Sequence, residues 1–394
     1  KDDSLRTPTQ LYYWRVLYKK PPEAAINPAA VAQLNYTPNV VQGANFHLEI
    51  PLENVTEVPM DSMLTKYVLR DANLNNVTQY VRYQPLPGLQ TMMLVLDYPV
   101  NTNNFLGLNR VIIEANPDND QIEQYHFNNI AELNFNVTGD KINPLLDVTF
   151  DNQHILNGDI VSAKPNILIT LKDENKYLAL DDEELIDVYI KYPGEQQPRK
   201  LDYDNTILKF YPADPANLGV SNKAQVELKP EFTMDGTYEL LIKDRDRSGN
   251  NSATTDARFE GTPATFFDYK ISFEVITKAT VTNVLNYPNP FTTSTRFVFT
   301  LTGSEVPDVF KIQILNIKGT VVKEIFRDEL GPIHIGRNMT EYAWDGRDQY
   351  GDPLANGIYF YHVVTKLDDK DLELKSMSYD KYFKKGFGKM ALIR

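Results

Sequence analysis

Thr295-Arg296-Phe297-Val298-Phe299-Thr300-Leu301 is the stretch that decides the fold. Phe297, Phe299 and Leu301 recur at every second residue, so an extended chain sets all three on one face. Phe310, Ile312 and Ile314 repeat the pattern. Gly319 marks a turn into Val321-Val322-Lys323-Glu324-Ile325, and Ile358 to Val364 alternates again. Strand follows strand, with turn residues between them and scarcely any helical period.

The same period runs upstream. Asn45 to Ile50 and Leu64 to Leu69 alternate, while Thr91 to Leu96 and Arg110 to Ala115 read as more buried strands. Ile167 to Leu171, Ile186 to Ile190 and Ile207 to Phe210 form a second group. Asp181-Asp182-Glu183-Glu184 caps at most a single helical turn. Leu11-Tyr12-Tyr13-Trp14-Arg15-Val16-Leu17-Tyr18 is aromatic and β-branched, a strong strand signal. The Pro- and Ala-rich residues after it offer no hairpin partner. It is therefore expected to be the last strand of a sheet whose other strands precede Lys1, or a strand that docks on the next domain. The division expected is 1–33, the end of an upstream β domain with a linker; then three antiparallel sandwiches at 34–138, 139–278 and 279–394.

Composition agrees with an all-β chain. The 394 residues include 23 Tyr, 19 Phe and 24 Pro, and aromatics suit half-buried pleated surfaces. The net charge of −13 argues against a nucleic-acid partner, which needs a basic face. There is no cysteine, which excludes a disulfide framework, a thiolate metal site and a cysteine nucleophile within these residues. No apolar run is long enough for a spanning helix. The chain opens on Lys1-Asp2-Asp3-Ser4 and is expected to be the C-terminal part of a longer protein.

No catalytic constellation stands out, and no catalytic residue is assigned. Gly-x-Ser-x-Gly, a phosphate-cradling glycine loop and His-Glu-x-x-His are all missing from the sequence. His47, His126, His154, His334 and His362 lie far apart. Acidic loops are the better metal candidates: Asp118 with Asp120; Asp244 and Asp246 with Asn250; Asp345 and Asp348 with Asp352. Each crowds oxygen ligands of the kind calcium takes, but the ordinary reading of each is a solvated Asx turn. No cofactor is expected beyond such structural calcium. Tyr12, Trp14 and Tyr203 are candidate platforms for a sugar, which would make the chain a carbohydrate-binding adhesin.

Several motifs carry resemblances. Val111-Ile112-Ile113-Glu114, Asn116-Pro117-Asp118-Asn119, Glu123 and Asn128-Asn129 resemble the bacterial adhesion-related CARDB domain. Gly236-Thr237-Tyr238, its strand and the Asp246…Ser248-Gly249-Asn250 turn are similar to the F–G hairpin of immunoglobulin-like modules. The last third carries five motifs in order. They are Tyr287-Pro288-Asn289-Pro290-Phe291, a Gly319 turn before Val321-Val322, Trp344-Asp345-Gly346, Gly357-Ile358-Tyr359, and the ending Lys389-Met390-Ala391-Leu392-Ile393-Arg394. Together they resemble the type A C-terminal sorting domain of the Bacteroidetes type IX secretion system, in its immunoglobulin-like form. Residues Lys366–Gly388 depart from that pattern.

The resemblance implies an exported protein at the cell surface or in the medium. It implies recognition by an outer-membrane β-barrel shuttle of the PorV type and a translocon of the SprA/Sov type, and processing by a sortase. The terminal residues would then act as a short extended peptide that adds to a sheet edge or enters a barrel. Tyr287–Phe291, Trp344 and Tyr359 would be the framework holding them out. The domain order is also similar to the tail of gingipain-type cysteine peptidases and related sortases, whose catalytic residues would lie upstream. Asp3-Ser4-Leu5 and Asp61-Ser62-Met63 resemble the Bacteroidetes O-glycosylation pattern, at Ser4 and Ser62.

Overall fold

A computed structural model describes residues 11–100, 103–253, 266–375, 383–384 and 386–394. The chain forms two compact units, Lys1–Lys141 and Ile142–Arg394. Among the described residues the fold is all-β, and no helix is long and apolar enough to cross a membrane.

The first unit is one sandwich, with strands β1 (Ala24–Ile26), β2 (Asn35–Tyr36), β3 (Asn39–Val41), β4 (Asn45–Asn54), β5 (Ser62–Arg70), β6 (Asn76–Pro85), β7 (Thr91–Pro99), β8 (Gly107–Ala115) and β9 (Ile130–Thr138). In one sheet β4 pairs with β7, β1 and β2; the other runs β3-β9-β8-β5-β6. Alternate residues of β4 face inward, where Phe46 stacks on Phe135 of β9 with ring centroids 4.2 Å apart. β1 pairs with Leu52–Asn54, so residues read as linker belong to this sandwich.

Leu11–Tyr18 forms no strand. Its side chains are exposed, Tyr12 at 88 % and Trp14 at 83 %. β-propensity reflects packing on a pleated surface rather than a backbone preference, and no described strand lies beside this segment to supply that surface.

The second unit holds two sandwiches. The first has β10 (Leu145–Phe150), β11 (Asp159–Val161), β12 (Ile167–Asp173), β13 (Ile186–Lys191), β14 (Arg199–Lys200), β15 (Leu208–Tyr211), β16 (Asn222–Leu228), β17 (Gly236–Asp244) and β18 (Tyr269–Val275). Its sheets run β10-β12-β16-β15 and β11-β18-β17-β13-β14. The acidic run yields one 3-10 turn at Glu183–Leu185, with the Asp182 carboxylate accepting from Glu184 N.

The last sandwich has β19 (Thr280–Tyr287), β20 (Arg296–Thr302), β21 (Val309–Leu315), β22 (Val321–Ile325), β23 (Gly336–Met339), β24 (Gly357–Leu367), β25 (Lys370–Asp371), β26 (Glu373–Lys375), β27 (Phe383–Lys384) and β28 (Phe387–Leu392). One sheet runs β23-β20-β19-β26 and the other β22-β21-β24-β28-β27. Phe297 and Phe299 of β20 cross the interior to Tyr361 of β24 and Phe310 of β21, with centroids 5.2 and 4.5 Å apart. Full burial of each such ring is worth roughly 1.5–3 kcal/mol. Pairing is antiparallel except at β3–β9, β11–β18 and β19–β26, which are parallel. Backbone and hydroxyl bonds join the two sandwiches of this unit: Ala163 N donates to Gly303 O at 3.0 Å and Ser162 Oγ to Ser304 O at 3.1 Å.

Candidate functional site at the chain end

Three of the five late motifs converge on the fifth, the final strand. β28 pairs antiparallel with β24, placing Gly357 opposite Leu392 and Tyr359 opposite Met390. Its other edge is covered too. The first half pairs with β27. The second half runs parallel to the Tyr287–Phe291 motif, where Phe291 N donates to Ala391 O at 3.0 Å and Ile393 N to Phe291 O at 2.9 Å. Asn289 adds a side-chain clamp, its Nδ2 donating to Lys389 O and its Oδ1 accepting from Ala391 N, both at 3.0 Å. The peptide bonds before Pro288 and Pro290 are both cis.

Below β28 lies an aromatic floor. Trp344 is fully buried between Phe291 and Tyr359, with centroids 5.5 and 6.1 Å away. An indole buried this way needs a hydrogen-bond partner; Trp344 Nε1 donates to Arg347 O at 2.8 Å. Trp344 also exchanges backbone bonds with Thr295, 2.9 Å each way. The Tyr359 hydroxyl donates to Ala355 O at 2.8 Å, and burial pushes its phenol above the usual range, against the nearby Arg394 charge. Arg394 is pinned in turn. Its guanidinium donates to Asp345 O at 2.7 Å and Gly346 O at 3.1 Å, and Asn356 brackets its backbone N and O.

This arrangement corrects the expectation of a free terminal peptide. Met390 and Leu392 are each 1 % exposed and belong to the core. The motifs hold the last strand in rather than out, because alternate apolar residues in an extended chain bury themselves wherever both edges find partners. What reaches solvent is the other face: Lys389, Ile393 and Arg394, with Tyr287, Pro288, Asn289 and Pro290 beside them. Two contributors escaped the sequence reading. Thr295 ties the first motif to the third, its Oγ1 donating to Pro288 O at 2.8 Å. Gly388 lies under the Tyr361 ring, where a Cβ would stand 1.8 Å from a ring carbon. A glycine inside a strand pattern is the signal for such a close approach.

The other candidates are spent on local structure. Asp120 is held by the Arg82 guanidinium at 3.0 and 3.1 Å, and Asp118 sits exposed at φ +61°. The Asp244 carboxylate accepts from Ser252 N and Oγ, and Asp246 from Asn250 N and Nδ2. Asp348 accepts from Tyr350 N and Asp352 N, and Asp345 pairs with Arg347. These are Asx-type turns, and among the described residues none of the three loops gathers three carboxylate or imidazole ligands.

Tyr203 is packed against the second core with its hydroxyl donating to Ile186 O at 2.6 Å, which removes it as a sugar platform. His47, His126 and His154 each lean on a carboxylate, Asp97, Glu114 and Asp147 respectively. Ser62 opens β5, with its Oγ accepting from Arg82 at 3.3 Å; Ser4 lies outside the described residues.

No family model matches the chain, and no curated protein matches it. Solved structures do. A CARDB domain of the PF1109 protein from Pyrococcus furiosus, in complex with di-metal ions, is 14 % identical with a TM-score of 0.24. The match covers 31 % of this chain and 97 % of that one. Dimeric latent PorU from Porphyromonas gingivalis is 14 % identical with a TM-score of 0.23, over 95 % of this chain. This chain spans 34 % of PorU's length. The FN1–FN3 domains of chicken CNTN1 are 9 % identical with a TM-score of 0.23, covering 90 % of this chain and 96 % of that one.

Proposed function

We propose that the last sandwich, 279–394, is the sorting signal of a protein exported by a type IX secretion system, and that outer-membrane barrel components of the PorV and SprA/Sov types recognise it. The observation that carries this reading is the convergence of Tyr287–Phe291, Trp344–Gly346 and Asn356–Tyr359 on the final strand. Motifs separated by up to a hundred residues meet on one structure.

The geometry changes how such a signal would be read. A receptor meets a folded face with a basic and apolar character, Lys389 and Arg394 around Ile393, set beside the Tyr287–Pro290 turn. The label is then a surface, and its core residues serve only to build it.

The test separates surface from core. Lys389→Glu and Ile393→Asp alter exposed side chains only, and such changes normally stay within about 0.5 kcal/mol in stability. The protein carrying both, expressed in a bacterium with the pathway, should unfold at the wild-type temperature yet fail to reach the cell surface and fail to co-purify with the shuttle. Wild-type export of that folded variant would overturn the reading.

A further inference from the structure

The strands of the five-stranded sheet in the first sandwich carry Lys66 and Arg70 on β5, Arg82 on β6 and Arg110 on β8. Three of these have an acid to themselves. Lys66 pairs with Glu114 at 3.3 Å, Arg82 with Asp120 at 3.0 Å and Arg110 with Glu132 at 2.9 Å. Arg70 has a neutral partner instead, its Nε donating to Asn76 Oδ1 at 2.9 Å, and among the described residues no carboxylate forms an ion pair with it. Its neighbour across the sheet is a second cation. The register of β5 and β8 sets Arg70 directly opposite Arg110, and like charges directly opposite are destabilising.

The same row continues on both sides. Asn76 lies opposite Arg70, and Asn134 lies opposite Arg110. Leu69 and Val111, next to the arginines in sequence, are fully buried on the core side, so alternation puts the row on the outer face. A groove of about 160 Å³ opens there, lined by both arginines, Asn134, Leu74 and Leu108. The two leucines are 75 % and 66 % exposed. Leu74 holds a φ of +68°, an uncommon conformation for a bulky side chain. Asp71 also lines the groove, but its carboxylate is turned into its own hairpin. It accepts from Asn73 N and Asn75 N, both at 2.8 Å, and from Asn75 Nδ2 at 3.0 Å.

We infer that this groove binds a sugar acid, with the sugar's carboxylate held by Arg70 and Arg110. The arginine pair shares a single ion-paired carboxylate, Glu132. The charge left over suits a monoanion better than a more highly charged phosphate. Each guanidinium keeps N–H groups to spare and presents the planar fork that fits a carboxylate. Asn134 beside them can both donate and accept, as neighbouring hydroxyls of a sugar require. Leu74 and Leu108 offer aliphatic surface to the C–H face of the ring. An anion between the arginines also relieves their mutual repulsion, so the strain of the empty groove favours occupancy.

The full chain would be titrated with sodium D-glucuronate and D-galacturonate, followed by NMR, with glucose, inorganic phosphate and N-acetylglutamate as parallel arms. Saturable binding of at least one uronate is expected, weakened by added salt and absent for glucose. R70Q and R110Q should each weaken it at least about tenfold, while R82Q, on the same sheet but paired with Asp120, binds like wild type. R70Q removes a like-charge contact and should keep or raise the Tm, so lost binding in that variant reports the site and not unfolding. No saturable uronate binding, equal binding of glucose, binding of phosphate or N-acetylglutamate at least as tight as that of the uronates, or wild-type affinity in R70Q would each overturn the assignment.

Discussion

Asn289 holds Lys389 O and Ala391 N with the two ends of one side-chain amide, across 100 residues of sequence. It does for β28 what a neighbouring strand would do, supplying one donor and one acceptor at ladder spacing. The opening motif of the domain is therefore a structural partner of its last strand.

Asn289→Ala should cost about 1–3 kcal/mol, the combined effect of two lost hydrogen bonds at a partly solvated site. Hydrogen exchange gives the sharper reading. The Ala391 amide should lose protection in the variant, while amides of β20 and β21 keep theirs relative to global unfolding. Unchanged exchange at Ala391 would show that the clamp is dispensable.

Gly388→Ala places a methyl group against the Tyr361 ring, which is itself 1 % exposed and has nowhere to retreat. Overpacking of a tight site costs about 1–3 kcal/mol, so a clear drop in Tm is expected. Tyr361→Leu added to Gly388→Ala should recover part of it, because the obstructing ring is gone. If the double variant is simply the sum of the two single losses, the ring is not what forbids the side chain.

The chain has two tryptophans in opposite settings: Trp14 is 83 % exposed and Trp344 is fully buried. W344F should leave red-shifted emission that acrylamide quenches readily. W14F should leave blue-shifted, protected emission that reports unfolding of the last sandwich alone. Protected emission from Trp14 in W344F would mean that Leu11–Tyr18 packs against a surface.

Much of this fold is legible in the sequence, because strand alternation is local. Phe297, Phe299 and Leu301 announce their face, and so do Phe310, Ile312 and Ile314. What fails is pairing, which is not local. Leu11–Tyr18 has strand chemistry and no sheet beside it. β6, from Asn76 to Pro85, has a sheet but mostly exposed positions, so no apolar period marks it. Met390 and Leu392 have the right period in plain view. Their burial rests on Asn289 and Phe291, whose proximity no spacing rule reveals. The same limit hid Arg70 and Arg110, far apart in sequence until β5 and β8 set them side by side.

His47 and His362 should respond to pH in opposite senses. The hydrogen bond to Asp97 at 2.8 Å is the main cause that raises the His47 pKa above its ordinary 6.5, with Glu49 assisting. Its stabilisation is therefore complete below the unfolded value and is lost as pH rises through the folded one. His362, stacked 4.5 Å from Phe387 on β28, is lowered by burial. Its contribution is present above 6.5 and is lost as pH falls through the folded value. In a W14F background, urea unfolding followed by Trp344 should show the last sandwich weakening from pH 8 to 5. His362→Phe keeps the ring stack and should reduce that slope, the remainder coming from His334, which burial also lowers. An NMR titration should put His47 above 6.5, and Asp97→Asn should bring it back toward that value. A His47 that titrates at or below 6.5, or an acid slope that His362→Phe leaves unchanged, would contradict these assignments.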